Sequence, residues 1–364
     1  MVGKINLYNF FWERIIKSSS IDQEVSSSYN KVFIIILILF FFPDSIWLSE
    51  LPNALYNPPK LSIAVFFSGF PNYTILLISH ILLVLSLILI GIDKFKVGLG
   101  ILSFILIIFI SNFRYGFGKI DHEILLPITL LCFSLGNWKC DKENINHFLP
   151  IPPETLLALF ISFGMFTAGI QKLFSWIDFD TQYSGFLYWF NSGYYNLGRT
   201  NFLAPLVLKM PPLIIELFDY LAVIFELSPL FILTLGKKIY WKLWIVSACF
   251  FHFNTLLLLN INFTTHILVY LPYIIPLSLI HFFKKNTTPH GVNISIIIIG
   301  SFQILSLILA NKSLLNFLIA DKKLNLYFAL ILWFLIILVG IYSMVTNSKK
   351  ESSNKSNFII KNPI

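Results

Sequence analysis

Ten apolar runs divide this chain, and no other feature limits its fold as much. They cover approximately 33–49, 73–92, 97–111, 123–137, 154–172, 211–235, 240–259, 264–282, 292–310 and 325–345. A bilayer core about 30 Å thick takes about 20 apolar residues per helical crossing. Only a helix or a closed barrel satisfies its backbone in lipid, and the strand alternation of a barrel is absent. The expectation is an all-α polytopic membrane bundle of about ten helices, or nine if Pro43 and Asp44 break the first. Of the 364 residues, 57% are hydrophobic and 12% charged, about half the charge of a soluble domain.

Three regions follow. Residues 1–31 read as a polar, Ser-rich cytoplasmic segment, 32–346 as one transmembrane domain, and 347–364 as a polar basic tail. The first thirty residues mix Lys4, Arg14 and Lys17 with Glu13, Asp22 and Glu24, and no small-residue cleavage site follows the first apolar run. That pattern predicts a first membrane helix and not a cleaved signal peptide. The formal charge of +8 resides in short loops and the tail. It therefore reads as topology and contact with the lipid bilayer, with no nucleic-acid partner. Cys132, Cys140 and Cys249 form no CxxC pair and no cluster with histidine, so neither a disulfide framework nor a metal site is expected.

Lysine placement orients the bundle in a plasma membrane. With both termini cytoplasmic, the inside loops hold Lys94 and Lys96, Lys139 and Lys142, Lys237, Lys238 and Lys242, and Lys284 and Lys285. The tail adds Lys349, Lys350 and Lys355 on that side. The outside loops hold fewer basic residues in most pairs, as the positive-inside rule requires. One consequence was not an input. His122, Lys172, Glu216, Asp219, His252 and His266 all fall towards the non-cytoplasmic face.

Each candidate has a plain and a functional reading. Lys172 ends the run Thr155–Ile170, where a lysine commonly extends its amine to water as a cation. Alternatively it is a desolvated amine that takes up a proton, with Ala168 and Gly169 letting a neighbouring helix or a ligand come close. His122, after the capping residue Asp121, either bonds a loop or meets a substrate oxygen. His252 lies inside the run Leu243–Leu259, either as a satisfied core histidine or as a cavity group, with Thr255 one turn on. Glu216, Asp219 and Glu226 share one arc of a helix, and Tyr220 lies beside Glu216. Such an acidic stripe pairs with basic groups, binds a cation or passes protons. The segment 175–210 is aromatic, holding Trp176, Tyr183, Tyr188, Trp189, Tyr194 and Tyr195. It reads as lying along the outer surface, as a cover or as an anchor.

The string AGIQKL with Trp176 resembles the AG-x-x-KL…W motif of the vitamin K-dependent γ-glutamyl carboxylases, within the horizontally transferred transmembrane (HTTM) family. The order of features over about residues 105–275 is similar too. Asp121-His122 opens a helix, the lysine helix and an aromatic segment follow, then an acid-bearing helix, Phe251-His252 and Asn262-Phe263. The resemblance implies that Lys172 is the base that starts oxidation of a reduced, vitamin K-like quinone. It implies that His122 stabilises the reacting carbanion and that His252 lies in the same outward-facing cavity. Trp176, Asp121, Glu216, Asp219, Tyr220 and Thr255 are then substrate-side candidates. Asp121 stands where the family typically has Asn, and Gln171 where animal enzymes have lysine. The chain has no counterpart of their large luminal domain. Short bacterial relatives imply maturation of a secreted peptide of the sporulation-delaying toxin type, and the Ile, Asn, Lys and Phe enrichment suits an AT-rich bacterial source. Two other classes stay open: a non-catalytic immunity, export or scaffold protein, and a small-solute or proton-coupled transporter.

Overall fold

The computed structural model describes residues 7–60, 62–113, 123–136, 151–178, 180, 183–319 and 321–361. Side chains are described through Thr346, except those of Leu7 and Lys322. The described residues hold helices and turns and no strand. In chain order the helices are α1 (Leu7–Ser19), α2 (Gln23–Phe40), α3 (Tyr73–Gly91), α4 (Lys96–Asn112) and α5 (Leu125–Leu135). Then come α6 (Pro153–Trp176), α7 (Gly185–Asn191), α8 (Ala204–Val207), α9 (Pro212–Thr234) and α10 (Lys238–Leu259). The last are α11 (His266–Ile274), α12 (Leu277–Asn286), α13 (Pro289–Ala310), α14 (Leu314–Leu318) and α15 (Lys322–Lys361).

The chain is an all-α, multi-pass membrane bundle, with fewer full-length crossings than the ten apolar runs suggest. Among the described residues six helices are long and apolar enough to cross a membrane: α3, α6, α9, α10, α13 and the Lys323–Thr346 part of α15. The pair α11 and α12 makes a seventh if it counts as one broken span. The shortfall has local causes. The first run stops at Phe40, because Pro43 biases Phe42 away from the helical region, and the chain continues as a 3-10 turn over Ile46–Glu50. α4 has 17 residues and α5 only 11, about 16 Å of rise for α5 against a core of about 30 Å. The run 264–282 breaks at Ile275, whose ψ of 125° is the extended value that the following Pro276 favours. The polar start of the chain is not structureless, since it contains α1, and the helical backbone of α15 continues through the tail to Lys361.

The chain divides into two compact units. One comprises 22–157 and 278–325. Its helices turn back and forth between two polar ends. At one end Asp93 takes Lys31 at 2.8 Å and Lys96 at 2.6 Å, and Lys31 also donates to Asn293 at 3.0 Å. Glu24 accepts Lys284 there at 3.1 Å. At the other end Asp44 accepts the Ser313 N–H at 2.9 Å and the Asn316 amide at 2.8 Å, and the Tyr73 hydroxyl donates to Asn311 at 2.9 Å.

The other unit comprises 1–21, 158–277 and 326–364. At one of its ends Arg14 reaches the Thr234 carbonyl at 3.4 Å, and the buried Lys242 donates to Ser343. At the other end the Leu203 N–H donates to the Leu257 carbonyl at 3.1 Å, and Asn260 exchanges hydrogen bonds with the Asn201 backbone. Rings tie its middle together. Phe225 of α9 stacks on Trp244 and Phe251 of α10, with centroids 5.2 and 4.8 Å apart, and Trp241 meets Tyr273 of α11 edge-on.

Candidate functional site

The site is built on α6, α9, α10 and α11 of the second unit. Lys172 stands one turn before the end of α6, and side chains on a helix lean towards its N-terminus. Its amine therefore points back into the bundle and donates to Glu226 Oε1 of α9, with the Trp176 ring 4.8 Å away. The Lys172 side chain is 25% exposed and that of Glu226 only 5%. Glu226 lies three residues past the middle of α9, about 12 Å from its end at 1.5 Å per residue. A lysine serving only as an anchor would present its amine to water or headgroups, whereas this one is largely covered and paired across helices.

Gly169 makes the pairing possible. A Cβ on it would lie 3.0 Å from the Glu226 Cβ and 3.1 Å from the Glu226 carbonyl carbon, so α6 and α9 touch there backbone to backbone. One turn beyond, Pro229 lacks the N–H that would bond the Phe225 carbonyl. The Ser228 hydroxyl donates to that carbonyl instead, at 2.7 Å, and accepts the Trp244 indole N–H at 3.0 Å. The stretch carrying Glu226 is thus fixed to α10 as well.

His252 of α10 is buried, and its Nε2 meets the Tyr270 hydroxyl of α11 at 2.9 Å. Rings of Phe251, Phe263, His266, Tyr270 and Trp333 surround it at centroid distances of 4.9 to 5.8 Å. Lys172–Glu226 and His252–Tyr270 are thus two polar pairs within the helices of this unit.

The other predicted residues have separate duties. Asp219 is fully buried and accepts the Phe186 N–H at 2.7 Å and the Gly185 N–H at 3.1 Å, which caps the first turn of α7. Trp176 lies against Gly185 so closely that a Cβ there would come within 2.2 Å of the indole. The aromatic segment after α6 is therefore folded back and clamped, with Phe186, Phe190, Val207 and Ile215 as its core. Glu216 is buried near the start of α9, with Asp178, Asp180 and Asp219 acting on it electrostatically, and Tyr220 is half-buried one turn on. The hydroxyl of Thr255 donates to the His252 carbonyl at 2.8 Å, so it serves its own helix. Asp121 and His122 lie outside the described residues.

The acidic stripe thus splits into a cap, a counter-ion and a member of an acidic cluster. Glu226 carries more of the site than its two partners, and its signal in the sequence was membership of that stripe. Tyr270 and Trp333 had no signal, being single aromatics in apolar runs. Among the described residues no three His, Cys, Asp or Glu side chains are placed to hold a metal ion.

No family model, curated protein or solved structure matches this chain.

Proposed function

We propose that this chain is a membrane-embedded, enzyme-like maturation factor of the HTTM type, with the Lys172–Glu226 pair as its proton-handling centre. One observation carries the proposal: Lys172 donates to a buried carboxylate on a second membrane helix. An ion-paired lysine is not a base. Transfer of one proton from Lys172 Nζ to Glu226 Oε1 leaves a neutral amine and a neutral acid, which removes both charges from the dry seam. The free amine can then accept a proton from an acidic group of a substrate. The Tyr270 hydroxyl and His252, which pair with each other on the neighbouring helices, are the groups proposed to hydrogen-bond a substrate oxygen. The co-substrate proposed is an aromatic diol, a reduced quinone, and the support for it is the aromatic surroundings of His252. Once deprotonated, such a diol would be an electron donor, itself oxidised to the quinone by a two-electron acceptor such as dioxygen. The substrate proposed is a secreted peptide.

The proposed orientation places both termini in the cytoplasm and the aromatic segment 183–210 outside. Its support is agreement between charge and contacts. Lys96 and Lys284, which lysine counting assigns to the cytoplasm, make their ion pairs at one end of their unit, where Lys31 of the N-terminal segment joins them. Impermeant maleimide should label Tyr195→Cys and spare Lys94→Cys in intact cells. The reverse pattern would overturn the orientation.

The function is tested by mass spectrometry of secreted peptides from cells with the wild-type protein, Lys172→Arg or Glu226→Gln. Arginine keeps the charge but does not give up its proton near neutral pH. A peptide mass change that needs the protein and disappears in both variants, with insertion unchanged, supports the proposal. A second reading rests on the partners that three candidate groups already have within the protein: Lys172 with Glu226, His252 with Tyr270 and Asp219 with two N–H groups. A scaffold or immunity protein would look the same, and it predicts full activity for Lys172→Arg.

A further inference from the structure

We propose that α1 is an in-plane membrane anchor, an amphipathic helix that lies in the headgroup layer of an anionic leaflet at the α9–α10 turn. Tyr8, Phe11, Trp12 and Ile15 recur at i, i+3, i+4 and i+7, which places them on one arc of the helix, while Asn9, Glu13 and Lys17 occupy the opposite arc. α1 packs against α9 and α10 within its unit. Arg14 fixes the contact. Its Nη1 donates to the Thr234 carbonyl in the last turn of α9, and its Cγ lies against Gly236, where a Cβ would come within 3.0 Å.

α9 and α10 are both long and apolar enough to cross a membrane, so the turn between them marks a bilayer surface. A helix pinned to that turn is held at headgroup depth. Its C-terminal end is packed, with Ser18 and Ser19 buried. Its N-terminal turns leave Tyr8 63% and Phe11 42% exposed on the apolar arc. Aromatics of this kind favour the boundary between headgroups and acyl chains. The basic residues around them, Arg14, Lys17, Lys237 and Lys238, suit anionic lipid headgroups. The occupant assigned to this face is therefore lipid and not a second protein. By sequence these residues belong to the polar, Ser-rich cytoplasmic segment 1–31. The structure makes them part of the lipid contact surface.

The test uses the full chain in nanodiscs of phosphatidylglycerol, with Cys132, Cys140 and Cys249 replaced by alanine. Spin labels are placed singly at Tyr8→Cys, Phe11→Cys, Glu13→Cys and Lys17→Cys. Ile224→Cys, on the exposed face of α9, is the lipid control. The expected result is an oxygen-to-nickel accessibility ratio at 8 and 11 that matches 224 and exceeds that at 13 and 17 about tenfold. Nickel accessibility at 8 and 11 equal to that at 13 would place the face in water and overturn the proposal. Low accessibility to both reagents at 8 and 11 would mean that protein covers the face, and would overturn it equally. If the cysteine-free background does not fold, hydrogen exchange on the unaltered chain decides. Amides 8–17 should then exchange several-fold more slowly in phosphatidylglycerol than in phosphatidylcholine nanodiscs, and equal rates would overturn the proposal.

Discussion

Removing one member of the Lys172–Glu226 pair should be far more damaging than removing both. Lys172→Met leaves Glu226 as a buried carboxylate with no cation beside it, since its side chain is only 5% exposed. Left charged, such a group costs about 3–5 kcal/mol. The alternative is to bind a proton. For an ordinary carboxyl with a pKa near 4.3, neutralisation at pH 7 costs about 3.7 kcal/mol. The cheaper route wins, so the loss at pH 7 is about 3.5–4 kcal/mol. By that route the folded variant holds a proton that the unfolded chain has released. Its stability therefore falls as pH rises, by about 1.4 kcal/mol per unit above pH 4.3. At pH 5 the defect shrinks to about 1 kcal/mol. Glu226→Leu is milder, about 1–2 kcal/mol, because Lys172 is a quarter exposed and retains the Trp176 face. The double variant Lys172→Met/Glu226→Leu buries an apolar pair and should lie within about 1 kcal/mol of wild type. The measurement is unfolding in mixed micelles by titrated dodecyl sulfate, at pH 5 and pH 7. Single defects that add to within about 0.5 kcal/mol of the double would mean the two residues are not coupled. The inward-turned lysine would then lose its role.

Three further outcomes follow from separate contacts. Gly185→Ala drives a Cβ into the Trp176 ring and should cost about 1–3 kcal/mol, most of it recovered in the double variant with Trp176→Leu; near-ultraviolet circular dichroism and unfolding report it. Tyr270→Phe removes the hydroxyl that meets His252 Nε2 and should cost about 1–2 kcal/mol in the same unfolding assay, without displacing the surrounding rings. Burial raises the pKa of Asp93, but the hydrogen bonds and charges of Lys31 and Lys96 outweigh it and hold the carboxyl below its usual range. Its contribution is complete above about pH 4 and is lost as pH falls through the lowered value. Asp93 is half-exposed, so Asp93→Asn should cost no more than about 1 kcal/mol at pH 7 and nothing at about pH 2; asparagine also tolerates its positive φ of 66°.

Apolar run length by itself determined that this chain is an all-helical membrane protein, because lipid leaves a backbone few ways to satisfy its polar groups. It also located most of the long crossings, α3, α6, α9, α10, α13 and α15, within a few residues. Where it overcounted, hydropathy had averaged over a single breaking residue. Pro43 stops the first run, and Pro276 breaks the run that holds α11 and α12. The singular residues of the site were also legible one by one, because an ionisable group in an apolar run stands out. Their partners were not. Periodicity places Glu216, Asp219 and Glu226 on one arc, yet it says nothing of what faces that arc at each level. Asp219 meets the N-terminus of α7 because the segment after Trp176 folds back, and Glu226 meets Lys172 because Gly169 lets two backbones touch. Tyr270 joins His252 only through the register of α11 against α10. Helix identity is a property of ten or twenty consecutive residues and the solvent around them. Which buried charge finds which partner depends on close contacts between helices distant in sequence, and only the packed bundle sets them.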